Sequence, residues 1–307
     1  MTISRRRLLT NSAILPAGMA VPAAPALADA EPLKFVLIGD WGRMGHDNQV
    51  DVANQMGKTA TDFGSAYTVS MGDNFYENGV AGVDDPQWQS SFEKIYTAPS
   101  LQSPWKIILG NHDYRGNVQA QLDYSKTSSR WRLPARYYQE TTTLPDGGKA
   151  DFFYLDTSPF IQRYIGTKTD ISGQDSQLQL EWLDAALGAS TAQWKIVIGH
   201  HPIYTVVTGQ DHDEPDLISR LDPVLRKHNV LIYINGHDHC LQVVNQGGVA
   251  YVTNGAGSQV YQPVAKRKGF CSGAHGFMTV ALTSQKLDFA LIDMTGETLY
   301  TQTITPA

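Results

Sequence analysis

Five glycines, each closing an apolar run, are followed by residues that can bind or move charge. The stretches are Gly39-Asp40-Trp41-Gly42, Gly72-Asp73-Asn74-Phe75-Tyr76, Gly110-Asn111-His112-Asp113, Gly199-His200-His201-Pro202 and Gly236-His237-Asp238-His239. Their donors Asp40, Asp73, Tyr76, Asn111, His200, His237 and His239 make up a metal-site inventory. Singly, each stretch has a plainer reading. A Gly-Asp pair is usually a turn, Asn111-His112-Asp113 could cap a helix, and His200-His201 before Pro202 could be loop. Repetition is what argues for a site, because five of the nine histidines fall in these stretches. His237 and His239, two apart in a segment expected to be extended, would then point the same way and could serve one cluster.

The elements that must position these donors are legible as short apolar, β-branched runs. Lys34–Ile38, Ala66–Met71, Trp105–Leu109, Trp194–Ile198 and Val230–Ile234 precede the five glycines, and Asp151–Leu155 and Val249–Val252 read as further strands. Between them lie helical faces: Val50, Ala53, Met56, Ala60 and Phe63; Leu178, Trp182 and Leu187; Ile218, Leu221 and Leu225, the last made irregular by Pro223. Strands alternating with helices predict an α/β layered fold. In open α/β sheets ligands gather at the carboxyl ends of the strands. Parallel neighbours would therefore bring the five turns to one edge, and glycine lets backbones crowd there. Phe277–Leu282, Leu287–Asp293 and Thr298–Thr303, with turns at Ser284-Gln285 and Thr295-Gly296, predict a closing β meander. The whole reads as one domain of two packed sheets with helices outside. Tyr114–Gly148, polar and turn-rich, reads as a surface excursion beside the site.

The chain has 307 residues, enough for a substantial core without staples, and a net charge of -6. That charge argues against a nucleic-acid partner. Residues 1–28 stand apart: Arg5-Arg6-Arg7 precede an Ala- and Leu-rich stretch ending in Ala26-Leu27-Ala28. This resembles a secretory leader with a twin-arginine export signal, leaving 29–307 as the single folded domain. Pro16, Pro22 and Pro25 interrupt the stretch, which is short for a membrane anchor. The expectation is a periplasmic or secreted protein that meets the twin-arginine machinery in transit and has no membrane attachment afterwards. Cys240 and Cys271 are the two cysteines and could pair in an oxidising compartment.

The five stretches match the signature of the purple acid phosphatases, within the calcineurin-like metallophosphoesterases. Its blocks are Gly-Asp-x-Gly, Gly-Asp-x-x-Tyr, Gly-Asn-His-Asp/Glu, Val-x-x-His (here Val197-Ile-Gly-His200) and Gly-His-x-His. The chain resembles the small, tartrate-resistant type. Asn117-Val-Gln-Ala-Gln with Tyr124-Ser-Lys, and the run from Gly248 to Gly257, support this. The resemblance implies a four-layer αββα sandwich of two mixed sheets. It implies one iron held by Asp40, Asp73, Tyr76 and His239, and a second metal held by Asp73, Asn111, His200 and His237, with Asp73 bridging. Donor charge agrees: three anionic oxygens suit Fe(III), while two imidazoles, an amide and a shared carboxylate suit a divalent ion such as Fe(II), Zn or Mn. Sister phosphoesterases usually carry Asp-x-His at the first block. Here that place is Gly42, and Tyr76 fills the vacancy.

The implied reaction is hydrolysis of small phosphate monoesters by a metal-bound hydroxide. His112 is the first candidate for proton donor to the leaving group, its plainer role being a hydrogen bond to a ligating carboxylate. The resemblance makes His212, in the loop after His200, a second candidate, since the small purple phosphatases use a histidine in the corresponding loop. His201 reads as packing or capping, and Lys266-Arg267-Lys268 as a solvated charge run more readily than as a basic rim. Two alternatives remain: a phosphodiesterase or nucleotidase on the same core, and a secreted iron-binding protein without turnover.

Overall fold

The computed structural model describes residues 31–207 and 213–306; the leader and His212 lie outside the described residues. The chain runs β1 (Leu33–Ile38), α1 (Gln49–Phe63), β2 (Thr68–Ser70), β3 (Trp105–Ile107), α2 (Val118–Tyr124), β4 (Trp131–Arg132), β5 (Tyr138–Thr143), β6 (Lys149–Tyr154) and α3 (Ser176–Ala189). It continues through β7 (Trp194–Ile198), α4 (Pro215–Lys227), β8 (Ile232–Asn235), β9 (Leu241–Gln246), β10 (Val249–Asn254) and β11 (Phe270–Ser272) to β12 (Gly276–Leu282), β13 (Leu287–Asp293) and β14 (Thr298–Ile304).

Among the described residues there are two seven-stranded sheets, ordered β14-β13-β12-β1-β2-β3-β4 and β11-β9-β10-β8-β7-β6-β5. In the first, β1 to β4 are parallel and the tail meander adds antiparallel through β12 on β1. In the second, β6, β7, β8 and β10 are parallel, with antiparallel β5 at one edge and β9 and β11 at the other. The second sheet is buried on both faces, and its alternation shows it. Phe152, Ile196, Ile198, Ile232, Ile234 and Val252 join the core between the sheets. Their neighbours Phe153, Val197, Tyr233 and Tyr251 join a second cluster with Leu183 and Leu187 of α3 and Leu217, Leu221 and Leu225 of α4. Two-sided burial is why these strands read as continuous apolar runs. Helix α1 buries Val52, Met56 and Ala60 and packs on β1 and β12. Gly64 stops it in a left-handed turn whose N–H reaches Ala60 and Thr61. The result is the four-layer sandwich.

Three expectations need correction. Tyr114–Gly148 is not a surface excursion: it supplies α2, β4 and β5 and buries Gln121, Trp131, Leu133, Tyr138 and Leu144. An edge strand with one polar face and a two-residue strand carry little periodic signal. Leu178, placed on the buried face of its helix, is 58% exposed. β9 went unread because its run follows His239 without a break. As expected, Pro223 lies within α4, where Leu221 and Leu225 stay buried on either side of it. The β9–β11 register sets Cys271 opposite Gln242, two positions from Cys240.

One tie fixes the two sheets near the site. Asp156, just past β6, is buried. It accepts from the hydroxyl of Tyr114, whose oxygen in turn accepts from Arg136 Nη1 at 2.8 Å. Gln179 of α3 closes on the Asp156 backbone, accepting from its N–H and donating to its carbonyl, both at 2.9 Å. Burial pushes the Asp156 carboxyl up to about 7. The folded form therefore holds this proton to higher pH than the unfolded chain, and the folded state is penalised progressively as pH rises from about 4 to about 7. Asp156→Asn is expected to flatten the fall in Tm across that window, read by calorimetry. Unchanged slopes would remove Asp156 as their cause.

Candidate metal centre

The five stretches converge, but from two sheets: three follow β1, β2 and β3, and two follow β7 and β8, at the carboxyl ends of both sets. Backbone bonds knit the turns across strands. Asp40 N donates to Gly72 O (3.1 Å), Gly236 N to His200 O (3.0 Å) and Gly257 N to Gly39 O (3.1 Å). Asp40, Asp73 and His237 adopt left-handed backbone, with φ of 60°, 49° and 70°. Such conformations in non-glycine residues cluster at functional sites. Glycine is needed at Gly110, where a Cβ would run into the Asp73 carboxylate, and at Gly236, where it would meet that of Asp40.

Around Tyr76 Oη lie Asp40 Oδ1 and Asp73 Oδ2, each at 3.0 Å, and His239 Nε2 at 2.9 Å. Donor atoms around a six-coordinate ion with bonds of roughly 2.1 Å sit about 3 Å apart. The second group meets at Asn111 Oδ1, which is 3.2 Å from His200 Nε2 and 2.9 Å from His237 Nδ1. Asp73 stands between the groups, with Oδ2 toward Tyr76 and Oδ1 3.4 Å from His200 Nε2. His200 Nδ1 donates to Met71 O at 2.8 Å, which turns Nε2 to the centre.

The donor chemistry fits cations. Tyr76 has one hydrogen for three neighbours, two of them carboxylate oxygens that can only accept when ionised. Burial pushes the Asp40 carboxyl well above its ordinary range, and the Asp73 charge adds to it. Burial also works to raise Asp73, but His200, His112 and His237 together hold it well below. Burial and the charges of Asp40 and Asp73 raise the Tyr76 phenol, opposed by Arg43, whose guanidinium lies 3.8 Å from the ring centre. Burial holds His239 at about 4 and His237 well below normal, so both rings keep a lone pair for a metal. His200 also feels burial, yet Asp73 and Asp40 push it up to about 9. Metal binding must displace that proton, so affinity is coupled to pH.

Position 42 explains the tyrosine. A Cβ on Gly42 would overlap the Asn74 carbonyl, so no side chain fits there. The Gly42 carbonyl instead accepts from Tyr76 N at 2.8 Å, which helps to place the phenol. The Tyr76–Glu77 peptide is cis.

His112 lies beside the cluster. Its ring packs on Tyr76 with centroids 4.3 Å apart, and its Nε2 is 3.9 Å from Asp73 Oδ2. Glu77 O and Arg115 Nη1 compete for its Nδ1, each at 2.7 Å. Burial holds the ring below the ordinary histidine value, with Arg115 assisting and Asp73 opposing. Of the Lys266–Lys268 run, Arg267 pairs with Asp213 while both lysines are exposed.

Sequence reasoning missed the scaffold beneath the donors. Asp113 is buried and accepts from Gly110 N (2.8 Å), Asn74 N (3.1 Å), Asn74 Nδ2 (3.0 Å) and Gln121 Nε2 (2.8 Å). This fastens the turn carrying Asp73 to the one carrying Asn111. Asp238, between the two histidines, accepts from Thr205 Oγ1 (2.8 Å) and Gln242 Nε2 (2.7 Å). Buried carboxylates flanking donors were the available signal.

Residues 33–241 match the family described as Calcineurin-like phosphoesterase. Purple acid phosphatase 7 of Arabidopsis thaliana is 38% identical over 283 residues, covering 87% of this chain and 84% of the relative. Tartrate-resistant acid phosphatase type 5 of Homo sapiens is 32% identical over 309 residues, covering 90% and 92%. The chain belongs to the purple acid phosphatases. Among solved structures, GAP50, described as the anchor in the inner membrane complex of Plasmodium, matches with a TM-score of 0.79 at 25% identity, covering 90% of each chain. Membership of the purple acid phosphatases makes the chain a metal-dependent acid phosphatase with an iron-containing binuclear centre.

Removing the shared carboxylate and removing a one-sided donor should differ. Asp73→Asn is expected to lose both ions and Asn111→Ala only the second, by elemental analysis of purified protein. Equal metal content in the two variants would contradict a shared Asp73.

Proposed function

We propose that the chain is an exported acid phosphatase hydrolysing phosphate monoesters, with Fe(III) held by Asp40, Asp73, Tyr76 and His239 and a divalent ion held by Asp73, Asn111, His200 and His237. The observation that carries the reading is the meeting of two carboxylates and an imidazole within 3.0 Å of the Tyr76 phenol oxygen. A phenol so placed favours a trivalent ion, because only a strong positive charge makes it a phenolate at neutral pH. The chemistry supplied at such a centre, when loaded, is polarisation of the phosphate and activation of water. Asp73 serves both positions, and its Oδ1 is oriented by the His112 N–H at 2.7 Å.

The leaving oxygen needs a proton, and His112 is the described residue best placed to give one. Its ring is fixed by Tyr76 and by the contacts at Nδ1, which leaves Nε2 turned to the centre. His212 remains the second candidate. The likeness to a protein described as an anchor favours one other reading, a protein that acts without turnover. A positioned imidazole beside the donors argues against it. The leader motif supports export by the twin-arginine route with cleavage after Ala28, which amino-terminal sequencing of the periplasmic or secreted protein tests.

Metal-loaded protein should hydrolyse a phenyl phosphate monoester faster than the corresponding bis-ester; the reverse order would favour a phosphodiesterase, and no turnover of either would favour the non-catalytic reading. Tyr76→Phe is expected to abolish the visible tyrosinate–iron absorption while leaving the second metal bound. His112→Asn is expected to lower kcat by roughly 10²–10⁴-fold for a poor leaving group and far less for a good one. An equal loss for both would deny His112 the role of proton donor.

A further inference from the structure

We propose that the Tyr164 hydroxyl donates a hydrogen bond to the substrate phosphate on the His237 side of the centre, and that His201 is the residue that positions it. The proposal rests on the phosphatase reading above. His201 is fully buried, and its ring centroid lies 4.4 Å from that of His237 and 4.9 Å from that of His200. The three imidazoles are close enough together to hold an ion. Hydrogen bonding nevertheless removes His201 from the ligand set.

The reasoning starts at Thr157. Its Oγ1 lies 3.1 Å from His200 N and 3.0 Å from His201 N, and backbone N–H groups can only donate. Both acceptor positions of the hydroxyl are then filled. Its own hydrogen is left for the third neighbour, His201 Nδ1 at 2.8 Å. Nδ1 must therefore be the bare nitrogen. A doubly protonated ring would need Thr157 to accept a third bond. The ring hydrogen sits on Nε2 and is donated to Tyr164 Oη at 2.9 Å. Neither nitrogen keeps a lone pair for a metal.

The same chain of bonds fixes Tyr164. Its oxygen accepts from His201, so its hydrogen cannot return there. The adjacent Arg163 can only donate as well; its guanidinium lies 5.2 Å from the Tyr164 ring centre and pairs with the buried Glu214. The phenol hydrogen is left for an acceptor arriving from outside. Tyr164 is half-buried, and its ring centroid lies 5.5 Å from that of His201, which itself lies 4.4 Å from that of His237, so the phenol stands one ring away from that donor. An acceptor-rich oxyanion bound between Asp73 and His237 supplies what the phenol lacks: phosphate oxygens accept, and Arg163 adds positive charge nearby.

The test uses metal-loaded full chain and two measurements, steady-state hydrolysis of a phenyl phosphate monoester and calorimetric binding of inorganic phosphate. Tyr164→Phe removes one hydrogen bond to a charged group. It should raise KM and the phosphate Kd together by about tenfold, with a smaller change in kcat and unchanged metal content. His201→Leu should give the same shift alone and no further shift on top of Tyr164→Phe. Phosphate affinity within twofold of wild type in Tyr164→Phe overturns the proposal, as does loss of metal in His201→Leu with metal retained in Tyr164→Phe. If wild-type protein binds phosphate but does not turn over, the phosphatase reading fails, while the phosphate titration still decides the role of Tyr164.

Discussion

A single phenol oxygen faced by two carboxylates and an imidazole is an arrangement that a protein does not keep for its own sake. Tyr76 has one proton to share, and Asp40 and Asp73 are buried acids whose charges repel. Left alone, such a cluster costs folding free energy, since unpaired buried charge is among the more expensive features of a protein interior. A cation in the middle reverses the sign of each of these terms. The rest of the molecule is arranged to hold the acceptors together until one arrives.

That holding is done by backbone more than by side chains. Three donor residues sit in left-handed conformations, and glycines at Gly110 and Gly236 make room for the carboxylates of Asp73 and Asp40. Two sheets bring their strand ends to the same place, so neither sheet alone contains the site. The buried carboxylate of Asp113 then ties the turn of Asp73 to that of Asn111, and that of Asp238 ties the turn of His237 and His239 to Thr205 and Gln242. The fold is shared with a protein described as an anchor. What this chain does must therefore be argued from these side chains and not from the sandwich.

Much of this was legible in the residues alone. The five stretches that converge were readable because each opens on a glycine at the end of an apolar run, a local pattern that survives without knowledge of the fold. The central strands were readable because burial on two faces leaves continuous apolar runs. β4 and β5 were not, since Trp131 is an isolated apolar residue and Tyr138–Thr143 is an edge strand with a polar face. Nor could the pattern show that the five turns come from two sheets, because strand order depends on crossovers that leave no trace in periodicity. The part played by Thr157 and Tyr164 was equally hidden. It depends on which nitrogen of His201 carries a hydrogen, and that is decided by residues more than 35 positions away.

The central claim is that two ions sit on either side of Asp73. Anomalous diffraction from crystals of the iron-loaded protein tests it most directly. The account predicts two peaks about 3.5–4 Å apart, one contacted by Tyr76 and His239, the other by Asn111, His200 and His237, with Asp73 touching both. One peak alone, or two that share no carboxylate, would contradict it.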